Sequence, residues 1–220
     1  MELFHVLNRG VEKRDLFTNT SNYARFVHDM YEFNDSSPAL NAGRAFDTNM
    51  IDLRNQSLGR EQIVDIHGWC LMKNHYHLLL SECTDGGITK FLRKLNVGYA
   101  NYFNDKYKRS GALFQGRTKK ILIGSDAHFL HILHYIHLNP LDYVKGAQGW
   151  RAGHISNSAA ARKQLEEYRW SSYADYCGRK NFPSIVTTDF MRESLGNIEK
   201  QTLAYLNEID VTDIHSFLLE

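Results

Sequence analysis

Two apolar runs, 63–72 (IVDIHGWCLM) and 75–82 (HYHLLLSE), are separated only by Lys73-Asn74. A two-residue gap between strand-like segments suits a tight hairpin. That hairpin fixes the middle of a sheet, and the remaining elements must be arranged around it. Upstream, residues 2–9 (ELFHVLNR) read as a strand without clean alternation, followed by a loop. Thr20 or Ser21 is placed to cap a helix over 23–33, with Phe26, Val27, Met30 and Tyr31 spaced for one buried face. Residues 34–60 are polar, carry Pro38, Gly43 and Gly59, and read as a surface insertion. Downstream, 88–107 predicts a long helix with Phe91, Leu95, Tyr99 and Tyr102 or Phe103 on one side. Residues 118–123 (TKKILI) predict a strand. Ser125 or Asp126 then caps a helix that stops near Leu138, at Asn139-Pro140.

Strand, helix, strand, strand, helix, strand and a further helix define an α+β chain with the split βαβ, ferredoxin-like arrangement and a helical tail. Helices on one face of such a sheet leave the other free for a substrate. The expected division falls at 142. Residues 1–142 form the main domain, with an insertion at 34–62. Residues 143–220 form an extension packed on it, with short helices around RWSSYADYCG and a last helix at about 198–209.

Composition narrows the class. The chain of 220 residues is 43% hydrophobic and 23% charged, a globular balance that excludes a disordered chain, a collagen or a coiled coil. The sequence contains no apolar stretch long enough to span a membrane, and its first residues lack the pattern of a signal peptide. A cytoplasmic location is expected. Cys70, Cys83 and Cys177 are widely spaced and read as reduced, mostly buried thiols. The net charge of +1 hides an asymmetry: 90–120 carries +8 and the rest of the chain −7. Lys90, Arg93, Lys94, Arg109, Arg117 and Lys119 are interleaved there with Tyr99, Tyr102, Phe103, Tyr107 and Phe114. Cations for phosphates and aromatic planes for unstacked bases suit single-stranded nucleic acid, although a solvated helix over a core has a similar composition.

Two local patterns carry chemistry. In His75-Tyr76-His77 the imidazoles at i and i+2 share one strand face and can hold a divalent metal, although two histidines in a strand need bind nothing. On the later helix, Phe129, Ile132, Leu133 and Ile136 form a buried stripe. Tyr135 and Asn139 share a face beside it, where a tyrosine either reaches a cleft or finishes the core. His128, His131, His134 and His137 drift around that helix at a spacing of three, so at most two meet one ion. They read as mostly partly exposed rather than as a zinc site.

The runs WCLMKNHYHLLL, GYANYFNDKYKRSGALFQGRTKK, LHYIHLNP and WSSYADYCG, in this order over about 3–178, resemble the single-tyrosine HUH transposases, especially the REP-associated tyrosine transposases. Two departures are Lys73, where the family often has proline, and the insertion after the first helix. The resemblance implies that 1–142 is a catalytic domain whose final helix carries the nucleophile Tyr135. It implies that His75, His77 and Asn139 hold Mg2+ or Mn2+. The activity implied is metal-dependent cleavage and rejoining of single-stranded DNA through a 5′-phosphotyrosine. The partner implied is DNA containing a hairpin, bound by a monomer or homodimer. The rival expectation is a domesticated relative that mainly binds nucleic acid. A zinc-stabilised structural domain lacks a four-ligand set.

Overall fold

Among the described residues, the strands β1 (Phe4–Arg9), β2 (Val64–Met72), β3 (His75–Glu82) and β4 (Lys119–Leu122) form one sheet in the order β2-β3-β1-β4. Every neighbouring pair is antiparallel. The computed structural model describes residues 1–38 and 59–208, so most of the expected insertion lies outside the described residues. Helix α1 (Thr20–Glu32) joins β1 to β2, and α2 (Gly87–Lys106) joins β3 to β4. This is the ferredoxin-like topology that the sequence order predicts. Helix α3 (Asp126–Leu138) follows β4. The tail then holds α4 (Ser158–Glu167), α5 (Tyr173–Tyr176), α6 (Asp189–Leu195) and α7 (Ile198–Glu208). Among the described residues, no helix is long and apolar enough to cross a membrane.

The β2–β3 hairpin turns on Lys73-Asn74, with Met72 opposite His75. Helix α1 is capped by Asn19 rather than Thr20 or Ser21. Asn19 is extended and its side chain accepts a hydrogen bond from the Asn22 amide, whereas Thr20 and Ser21 already lie in the first turn. Ser125 caps α3, accepting from the His128 amide. Of the three cysteines only Cys70 is buried; Cys83 is exposed and Cys177 half-buried.

Both faces of the sheet are covered, which corrects the expected open face. On one face Val6, Trp69, Leu71, Tyr76, Leu78 and Leu80 pack with α1 and α2. On the other, Cys70, Met72 and Leu79 pack beneath Ile132, Leu133 and Ile136 of α3, and Trp150, Leu165 and Met191 of the tail close over that layer. A register shift near His67 puts Gly68 opposite Leu79, on the α3 side. A Cβ at Gly68 would come within 2.6 Å of Leu133 Cδ1, so glycine lets α3 approach the sheet closely.

The α3 histidines are also more buried than their spacing predicts. Phe129 is only half-buried, while His128, His134 and His137 are buried, because the tail packs against the outer side of α3. His134 meets Thr202 Oγ1 at 2.8 Å and Gln201 Oε1 at 3.1 Å, and His137 meets Ser172 Oγ at 2.8 Å. Burial is the main cause that pushes His134 down to about 4, with the neighbouring His131 acting in the same direction. The folded form therefore refuses a proton that the unfolded chain takes up below its ordinary value of 6.5. Stability falls as the pH drops from 6.5 to about 4, by about 3 kcal/mol from this group. Urea midpoints at pH 7 and pH 4.5 should show the drop, and His134→Gln should reduce it while buried His137 keeps its own share.

Candidate active site

Strand alternation places His75 and His77 on one face and Tyr76 on the other, where its hydroxyl donates to Asn96 Oδ1 at 2.8 Å. The two imidazole centroids are 5.0 Å apart. A third imidazole joins them. His5 of β1 stacks on His77 at 5.2 Å, and its Nε2 lies 3.0 Å from His77 Nδ1. Arg9, two alternations further along β1, stands directly opposite His75 in the register. The sequence reading missed both residues. Their signal was the His5, Leu7, Arg9 alternation, which acquires meaning once β1 is known to pair with β3.

Helix α3 delivers Tyr135 over this pair. Its ring meets His77 edge-on at 5.8 Å and His5 at 6.0 Å, and Trp150 of the tail packs on it at 5.5 Å. The Arg151 guanidinium lies 5.7 Å from the ring centre, and Tyr135 is only 3% exposed. Asn139 sits one turn on, but its side chain is turned to the helix end. Its Nδ2 donates to the Tyr135 carbonyl at 2.9 Å, and its Oδ1 accepts from Arg151 Nη2 at 2.8 Å. Asp142 holds Arg151 and accepts from Trp150 Nε1. Tyr143 is tied to the hairpin turn, its hydroxyl accepting from the Lys73 amide at 2.7 Å. Proline at position 73 would have no N–H to make that bond.

The donor chemistry suits a divalent cation in part. His75 Nδ1 lies 2.7 Å from Asn74 Oδ1, and His77 Nδ1 is held by His5. An Nδ1–H donated to Asn74 leaves Nε2 of His75 as its lone-pair nitrogen, and His77 offers Nε2 to a metal in the tautomer whose Nδ1–H donates to His5. An oxygen from Asn139 would join them only after leaving Arg151. Among the described residues, no group of three or more His, Cys, Asp or Glu side chains is placed to hold a metal ion.

The six basic residues separate into three places. Lys90 and Lys94 donate to the Ser36 carbonyl and to the Asp35 and Ser37 carbonyls, bracing the chain after α1. Arg109 donates to Asn104 Oδ1 and the Ala112 carbonyl, stapling the α2–β4 loop. Arg93, Arg117 and Lys119 are exposed. Lys119 lies opposite Leu7, on the histidine face, and a small cavity of about 180 Å³ collects Arg9, Arg117 and Lys119 there. For the single-stranded DNA that the sequence resemblance implies, Arg117→Gln is expected to reduce the slope of log affinity against log salt by about 0.7. A fluorescence salt titration measures it, and an unchanged slope would remove Arg117 from the DNA path.

A helix-borne tyrosine thus stands over a pair of strand histidines on a ferredoxin-like sheet. Residues 49–139 match the family of IS200-like transposases. The structure of a REP-associated tyrosine transposase bound to a REP hairpin has the same fold, at a TM-score of 0.50 and 14% identity over 86% of each chain. No curated protein matches the chain. The match to the IS200-like transposases spans 91 of the 220 residues, and the likeness to the REP-associated transposase is one of fold.

Proposed function

We propose that this chain cleaves and rejoins single-stranded DNA with Tyr135 as nucleophile. The observation that carries the reading is the Tyr135 ring at 5.8 Å from His77, above the His75–His77 pair. The phenolic oxygen attacks the scissile phosphorus, and the P–O3′ bond breaks. The products are a 5′-phosphotyrosine and a strand ending in a 3′-hydroxyl, the proton lost by the phenol balancing the one the departing 3′-oxygen takes up. A later 3′-hydroxyl reverses the step and joins a new strand. A divalent cation, Mg2+ or Mn2+, at His75 and His77, with Asn139 as a third ligand, would offset phosphate charge and orient the reacting group. The exposed cations Arg93, Arg117 and Lys119 are proposed to guide the strand, with Lys90, Lys94 and Arg109 shaping the surface around them. The proposed substrate is a DNA single strand that carries a hairpin, as does the DNA bound in the REP-associated structure.

The nearly complete burial of Tyr135 and the Asn139–Arg151 bond favour a second reading, a relative that binds DNA without cutting it. Incubating the protein with hairpin-containing single strands and Mn2+, then resolving it on a denaturing gel, separates the two. A covalent adduct mapped to the Tyr135 peptide supports cleavage, and bound DNA with no adduct supports the second reading.

A further inference from the structure

The sheet face opposite the histidines carries a groove of about 370 Å³ between α2 and β4. That volume lies in the range of small-molecule sites. Ile88, Leu92 and Val97 of α2 form one apolar side, and Phe114 presents an aromatic ring. Val97 is 53% exposed although apolar. Two carboxamides line the polar end. Asn8 Nδ2 and Asn96 Nδ2 each donate to Thr118 Oγ1 at 3.0 Å. A carboxamide nitrogen carries two hydrogens, so each has another to offer an acceptor. Arg93, Arg117 and Lys120 complete the lining, and none of the lining residues is acidic. Arg117 and Asn8 also border the cavity on the histidine face, so the two places meet around the β4 edge.

We infer that this groove is a subsite for one unstacked nucleobase of a DNA single strand. Apolar walls and a phenyl ring accept the flat face of a base. Amide hydrogens meet its carbonyl or ring-nitrogen acceptors, and the three cations meet the flanking phosphates. The inference rests on the single-stranded DNA reading above and adds where a base is held. A strand seated here passes Arg117 on its way to the histidine face.

The test compares oligothymidylate with an abasic strand of equal length, which keeps the phosphates and removes the bases. The wild-type protein should bind oligothymidylate at least about tenfold more tightly, the scale of one base–aromatic stack. Val97→Glu puts a competing carboxylate beside the amides and arginines and should bring that ratio close to one. Leu130→Glu, an equal charge change at an exposed position of α3, should leave the ratio intact. Equal wild-type affinity for both strands, or a preserved ratio in Val97→Glu, overturns the inference. Photo-crosslinking wild-type protein to 5-iodouracil-substituted DNA avoids any folding defect. Attachment at Phe114 is expected, and attachment only outside the groove overturns the site. The Tyr135 adduct is measured on the same preparations. The groove inference can thus fail with the adduct intact, and the cleavage reading can fail with the Phe114 crosslink intact.

Discussion

Tyr135→Phe should abolish the covalent protein–DNA adduct while leaving DNA affinity and folding nearly unchanged. The side chain lies in the core layer above the histidine face, in contact with His5, His77 and Trp150 through its ring. Phenylalanine keeps each ring contact and removes one hydroxyl, a change of about 1 kcal/mol in stability. Loss of a nucleophile is far larger, on the order of 10³-fold or more in rate. The denaturing gel therefore reads a near-total effect against a small shift in the urea midpoint. An adduct that persists in Tyr135→Phe would end the assignment. Tyr143 would be the next residue to test, although its hydroxyl is already engaged with the Lys73 amide.

His75→Ala should weaken Mn2+ binding and adduct formation together, each by at least about tenfold, with DNA affinity largely kept. His75 is the better first variant because it is half-buried, whereas His77 is fully buried and bonded to His5. His5→Gln tests the support of that ligand and should cost about 10- to 100-fold in metal affinity, the usual scale for a residue behind a metal-bound imidazole. Titration calorimetry with Mn2+ gives the binding arm, and the adduct gel in excess EDTA gives the activity arm. Full adduct formation in EDTA would rule out the metal-dependent step.

The elements that sequence made legible are those with local signals. The two-residue gap at Lys73-Asn74, the apolar spacing of 88–107 and the Ser125 cap each determine structure from neighbouring residues alone, and β3, α2 and α3 fall within a residue or two of expectation. The same-face placement of His75 and His77 follows from strand periodicity. Features that depend on distant partners were not legible. His5 belongs to the histidine group only because β1 lies between β3 and β4. Asn139 shares a helix face with Tyr135, but Arg151, twelve residues later, determines where its oxygen points. Buried histidines on α3 read as partly exposed because the tail that covers them is folded from separate short helices.

The anchoring of α3 has a kinetic consequence. Gly68 seats the helix on its own sheet, while Thr202, Gln201 and Ser172 fasten its outer histidines to its own tail. We propose that the tyrosine and the histidines that face it act within one copy of the chain. On the proposed reading, first-strand cleavage is then first order in protein. Its rate per molecule should stay constant on dilution, and an equal mixture of Tyr135→Phe and His75→Ala chains should fail to restore cutting.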